Sequence, residues 1–241
     1  MRKIILFSLI WSILFLFNCG NKNRIMVQDV ELKSEDGILL AGTLYSPPTK
    51  EKVPGIVLAH MYQNNKKSWD SFARSLANQG YAALAFDFRG CGESEGEGDI
   101  TNMYLDVIAA ANYLANFSLV DRERIAVVGA SMGGMSAVIA GAKSSLIGAV
   151  VTICAPSSWQ GSEPVEYVDQ ISPRPIFVIA ADDDAHLNLR EAKMLFLKAK
   201  EPKKWLALKT NRHGTDIFTT ELADELEKAV IDFLSEYLIT E

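Results

Sequence analysis

The segment from Ile125 to Ala140 constrains this chain more than any other. Ile125-Ala126-Val127-Val128 is a short unbroken apolar run, the pattern of a parallel strand buried on both faces. Gly129-Ala130-Ser131-Met132-Gly133 follows, and the residues from Met132 to Ala140 are small and apolar enough to pack a helix closely on a sheet. Strand, tight turn and helix in this order bring two backbones so close that a Cβ at the flanking glycines would clash. A serine at the crest of such a turn stands above the sheet at a helix N-terminus, where developing negative charge is favoured. The plainer reading of Ser131 is a helix N-cap after a glycine-rich turn, so its meaning depends on what else the chain supplies.

The rest of the chain alternates in the same way. Val27 to Ser34 and Ile38 to Tyr45 flank the turn signal Glu35-Asp36-Gly37 and read as a hairpin, ended by Pro47-Pro48. Further strands are expected at Val53 to Ala59, Tyr81 to Phe86, Arg124 to Gly129, Gly148 to Ile153, Pro175 to Ala180 and Lys204 to Leu208. Helices are expected at Trp69 to Gln79, Thr101 to Asn116, from Met132, at Asn188 to Lys200 and at Glu221 to Leu238. Alternating βα units after an antiparallel start predict an α/β fold, a doubly wound and mostly parallel sheet with ligands at the strand C-terminal ends.

The N-terminus reads differently. Arg2-Lys3 precedes an apolar run from Ile4 to Phe17, too short for an ordinary spanning helix and suited to a secretory signal. Leu16-Phe17-Asn18-Cys19-Gly20 resembles the lipobox of bacterial lipoproteins, with Asn18 where Gly, Ala or Ser is usual. The expected organisation is a signal peptide over 1–18, a lipidated Cys19 with a short tether over 19–25, and one domain over 26–241. Such a protein is exported and held at a membrane by its N-terminal lipid, on the periplasmic or cell-surface side. A net charge of −6 offers no basic surface to nucleic acid. Apart from Cys19 the cysteines are Cys91, in a Gly-rich loop, and Cys154, which closes an apolar strand and reads as a buried thiol. Neither has the spacing of a metal site, and no metal or cofactor is expected.

A serine hydroxyl becomes a useful nucleophile only with a base in reach and a carboxylate to orient that base. The chain has three histidines, His60, His186 and His213. Gly-x-Ser-x-Gly between strand and helix, followed by acidic Asp182-Asp183-Asp184 and then His213-Gly214, resembles the α/β-hydrolase superfamily over nearly the whole domain. The likeness is to its lidless, dienelactone-hydrolase- or esterase-like members. It implies Ser131 as nucleophile, His213 as base and Asp184 as the acid, with Asp183 the alternate. His60-Met61-Tyr62 resembles the family's His-Gly-x segment, which implies an oxyanion hole made of the Tyr62 and Met132 backbone N–H groups. Met61 stands where the family has Gly. Asp87-Phe88-Arg89-Gly90-Cys91-Gly92-Glu93-Ser94 resembles a family loop that braces the sheet edge and is read as structural.

Only 20 residues, Ala155 to Arg174, separate the sixth and seventh strands, which leaves no room for a lid domain. The expected site is an open groove bordered by Tyr62 and Trp159, with Tyr167 more suited to packing. The resemblance implies hydrolysis of a small-molecule ester, thioester or lipid ester through an acyl-enzyme. A peptidase or acyltransferase with the same three residues, or a binding lipoprotein on a silent scaffold, are the alternatives.

Overall fold

The computed structural model describes residues 24–239; the signal sequence and Cys19 expected above lie outside them. Eight strands form one sheet. They are β1 Met26–Lys33, β2 Leu39–Ser46, β3 Val53–Ala59, β4 Ala82–Phe86, β5 Val120–Ala130, β6 Ala149–Ile153, β7 Ile176–Ala181 and β8 Lys203–Leu208. Their spatial order is β1-β2-β4-β3-β5-β6-β7-β8. β1 and β2 pair antiparallel as the expected hairpin, β2 pairs antiparallel with β4, and every other neighbour is parallel. Five helices cover the sheet: α1 Asp70–Asn78, α2 Met103–Asn116, α3 Met132–Lys143, α4 Leu189–Lys198 and α5 Ala223–Leu238.

Period-two alternation divides each central strand between two cores. In β5, Ile125 and Val127 join α2, α3 and α4 on one face. Ala126 and Val128 join α1 and α5 on the other. This is why β3, β4 and β6 are buried throughout and, apart from Thr152, apolar: neither face meets water. Among the described residues no helix is long and apolar enough to cross a membrane.

One strand boundary differs from the sequence expectation by several residues. β5 begins at Val120, four residues before the predicted Arg124, because Val120 pairs with Val53 across a register shift that precedes Ile125. The charges at Asp121 to Arg124 disguise this extension, and Arg124 satisfies itself locally on Asp121 at 2.8 Å. The segment between β6 and β7 contains two short 3-10 turns, Pro164–Glu166 and Val168–Gln170, and no lid domain.

The loop after β4 is held by buried charge. Arg89 grips Asp106 of α2 at 2.7 Å and Asp36 of the hairpin turn at 2.6 Å. Lys66, itself buried, donates to Asp87 at 2.9 Å and Glu93 at 2.6 Å, while its backbone N–H donates to the other Asp87 oxygen. Asp106 is fully buried, so removing its partner strands a charge in the core. Arg89→Met is expected to cost about 3–5 kcal/mol in urea unfolding. Arg89→Lys should recover only part of that, since an ammonium lacks the two-sided fork.

Candidate active site

Ser131 sits at the turn from β5 into α3 with φ +50° and ψ −116°, a strained conformation for a residue with a side chain. The glycines around it are dictated by contact. A Cβ on Gly129 would lie 2.3 Å from the Gly133 carbonyl oxygen, and one on Gly133 would lie 2.2 Å from that of Ala59. Backbone approach this close leaves no other residue possible at either place. The Met132 N–H, in the first turn of α3, has no partner within the helix and is free for a ligand.

His213 follows β8, and its Nδ1 lies 2.8 Å and 3.0 Å from the two carboxylate oxygens of Asp184. Asp184 Oδ1 also accepts the backbone N–H groups of His186 at 2.8 Å and Leu187 at 3.0 Å. Burial alone would raise the Asp184 carboxyl, but the His213 hydrogen bond and the His186 amide outweigh it and hold it below its ordinary value. With Nδ1 engaged, Nε2 is the ring nitrogen left to face the cavity that His213 shares with Ser131. No hydrogen bond joins Ser131 Oγ to the ring among the described contacts; such bonds are commonly long until a substrate closes on them.

The three consecutive aspartates separate by what they touch. Asp182 accepts the Thr210 N–H at 3.1 Å and ties the acid loop to the end of β8. Asp183 is exposed, and its backbone N–H donates to the Thr210 carbonyl. Only Asp184 meets His213. The other histidines are placed elsewhere. His60 is buried, with Nε2 accepting the Phe88 N–H at 3.1 Å and Nδ1 donating to the Met61 carbonyl at 2.8 Å. Burial lowers its pKa, and with both nitrogens committed it is a neutral brace. His186 stands edge-on to His213, ring centroids 5.4 Å apart, and lines the cavity.

Tyr62 occupies a turn closed by Asn64 N–H on the Met61 carbonyl, with Gln63 at φ +58°. A positive φ at the third position only is the mark of a type II turn, whose closing hydrogen bond leaves the Tyr62 N–H unused. Both ends of this loop are tied to one segment, His60 to Phe88 and Lys66 to Asp87.

A cavity of about 510 Å³ opens above these groups. Ser131 and His213 lie in its wall together with Tyr62 and Trp159, whose rings meet edge to face at 5.1 Å. Tyr167 stays outside it, under Lys143. Glu191, which the sequence reading missed, also lines the cavity, held by a short hydrogen bond from the buried Ser157 hydroxyl. Asn188 capping α4 was a usable signal for an acid in the first turn, but its aim into the cavity depends on a serine 34 positions away. Cys154, Asp184 and His213 are the one trio of His, Cys and acidic residues among those described whose donor atoms lie within 4.8 Å of one another.

Comparison with known proteins bears on the family and the fold. The family model of X-Pro dipeptidyl-peptidases (S15 family) matches residues 36–167. The quorum-quenching protein AidA of Acinetobacter baumannii is 32% identical over 131 residues, covering 52% of this chain and 43% of that protein. The chain thus spans less than half the length of this curated relative. Among solved structures, the esterase Pf2001 of Pyrococcus furiosus superposes with a TM-score of 0.74 at 22% identity, covering 89% of this chain and 94% of that one. Est1E of Butyrivibrio proteoclasticus, solved with ferulic acid, gives 0.75 at 19% identity, covering 88% and 100%. At such identities the likeness concerns the fold, which is that of the α/β hydrolases. The family match takes in β2, the Tyr62 turn and the Ser131 elbow, more than half of all residues, and the chain belongs to the X-Pro dipeptidyl-peptidase (S15) family, a hydrolase on the α/β-hydrolase fold.

Proposed function

We propose that this hydrolase cleaves carboxylic esters or thioesters through an acyl-enzyme on Ser131, and that it works at a membrane to which a lipidated Cys19 anchors it. The observation that carries the reading is the Asp184–His213 hydrogen bond, which leaves Nε2 facing the cavity that contains the strained Ser131. Ser131 Oγ attacks the acyl carbon as Nε2 takes its proton. Asp184 holds Nδ1–H in place and stabilises the imidazolium. The oxyanion is received by the N–H groups of Met132 and Tyr62, each such donor worth roughly 3–4 kcal/mol in the transition state. The imidazolium then protonates the departing alcohol or thiol. A water molecule, deprotonated by the same nitrogen, releases the acid and restores the serine.

The absence of a helical lid between β6 and β7 suits modest acyl groups presented to an open cavity. The family match favours a second reading, in which the same groups cleave a peptide bond after proline. Labelling by a fluorophosphonate probe, lost in Ser131→Ala and in His213→Ala, is the expected result. Turnover of p-nitrophenyl acetate against an X-Pro anilide then separates the two readings. A folded wild type that neither labels nor turns over either substrate would overturn both and favour a binding protein.

A further inference from the structure

Cys154 is a fully buried thiol that the chemistry above does not use. It follows β6 with φ +53°, a left-handed conformation unusual for a residue with a side chain, and its N–H donates to the Ile179 carbonyl at 2.8 Å. That bend carries the side chain under the acid loop. Its sulfur, a carboxylate oxygen of Asp184 and a ring nitrogen of His213 lie within 4.8 Å of one another. The backbone N–H groups of Gly214 and Ala181 face the same sulfur. One side chain therefore lies beside the end of β7, the acid loop and the histidine loop at once.

Burial, reinforced by the charge of Asp184, pushes the Cys154 thiol up to about 12, against the pull of the Gly214 and Ala181 amides. The group stays protonated at any working pH and is a donor, not a nucleophile. Resting on the reading in which Asp184 and His213 serve Ser131, we propose that Cys154 is a positioning residue. Its S–H contact with Asp184 keeps the carboxylate turned toward His213 Nδ1, while its sulfur is keyed to the Ala181 and Gly214 amides.

The donor also has an electrostatic effect. A carboxylate that shares its charge with a thiol stabilises the imidazolium less than one that does not. The other titratable groups around His213 are His186, edge-on, Glu191 in the wall of the same cavity, and Asp216 in that wall on the turn that His213 begins. Asp182 and Asp183 on the acid loop are exposed. None of these changes in a Cys154 variant, so a moved pH limb reports the thiol.

The experiment compares wild type, Cys154→Ala and Cys154→Ser on p-nitrophenyl acetate across pH, with folding checked by circular dichroism. Cys154→Ala is expected to lower kcat about tenfold with KM within about twofold, as loss of orientation does. Its acid limb of kcat/KM should move to higher pH, because the carboxylate is left more concentrated in charge. Cys154→Ser, whose hydroxyl is the better donor, should restore most of kcat and bring the limb back to or below its wild-type position. Should the alanine variant fail to fold, the serine variant's limb alone decides. A folded Cys154→Ala with wild-type kcat and an unmoved limb overturns the proposal, as does a serine variant as impaired as the alanine one. In both cases an active, fluorophosphonate-labelled wild type leaves the catalytic reading intact. An inert, unlabelled wild type removes that reading and this inference together.

Discussion

Asp184→Asn is expected to lower kcat by ~10⁴ at neutral pH, while Asp183→Asn leaves it within about twofold. An asparagine at 184 fits the same space and can turn its amide N–H toward His213 Nδ1. The ring proton then moves to Nε2, and the base presents a donor where it needs a lone pair. The effect is one of tautomer and charge, so the variant should fold with near-native stability and still bind substrate. Asp183 differs by one position, yet its side chain lies on the exposed side of the loop and reaches no ring. Equal losses at the two positions, measured as kcat on p-nitrophenyl acetate, would show that either aspartate can serve the histidine.

Gly133→Ala should destabilise the fold by more than about 5 kcal/mol, beyond the range of ordinary core substitutions. The added Cβ would stand 2.2 Å from the Ala59 carbonyl oxygen and 2.6 Å from that of His60, both backbone atoms at the end of β3. A flexible side chain could yield, but a central strand bonded on both edges cannot move alone. Any partial accommodation shifts His60 and the Tyr62 turn, so surviving molecules should also have lost activity. Gly98→Ala is the control: nothing lies within 4 Å of its added Cβ, and its thermal unfolding should match wild type within about 0.5 kcal/mol. A Gly133→Ala protein with wild-type unfolding would contradict the close approach on which the elbow depends.

The elbow was legible in the sequence because its cause is local. Two glycines, a serine and an apolar strand and helix within sixteen residues leave few other structures. The order of the later elements placed His213 at the base position for the same kind of reason, a match of strand count and loop. Composition alone narrowed the acid only to a run of identical residues, and it was the resemblance that implied Asp184 with Asp183 the alternate, since Asp182, Asp183 and Asp184 have the same chemistry and differ only in where one turn of chain points them. Among the described contacts, the Asp182 side chain meets Thr210, that of Asp184 meets His213, and that of Asp183 meets neither. Cys154 and Glu191 were out of reach, because each acquires its role from partners about thirty positions away. The early start of β5 was hidden by charges that resemble a turn and that the structure satisfies at the surface.

The parallel pairing of β7 with β8 at the sheet margin has a consequence in time. The Ser131 elbow, the Tyr62 turn and most of both cores are encoded before the chain reaches β7. The acid sits on the loop after β7 and the base on the loop after β8, and Asp182 and Asp183 fasten the first loop to Thr210 beyond the second strand. On the proposed reading, a molecule whose β7 and β8 have not yet docked holds the serine without the base that activates it. Reactivity then waits on the docking of the outermost strand, the last piece of the sheet to be encoded.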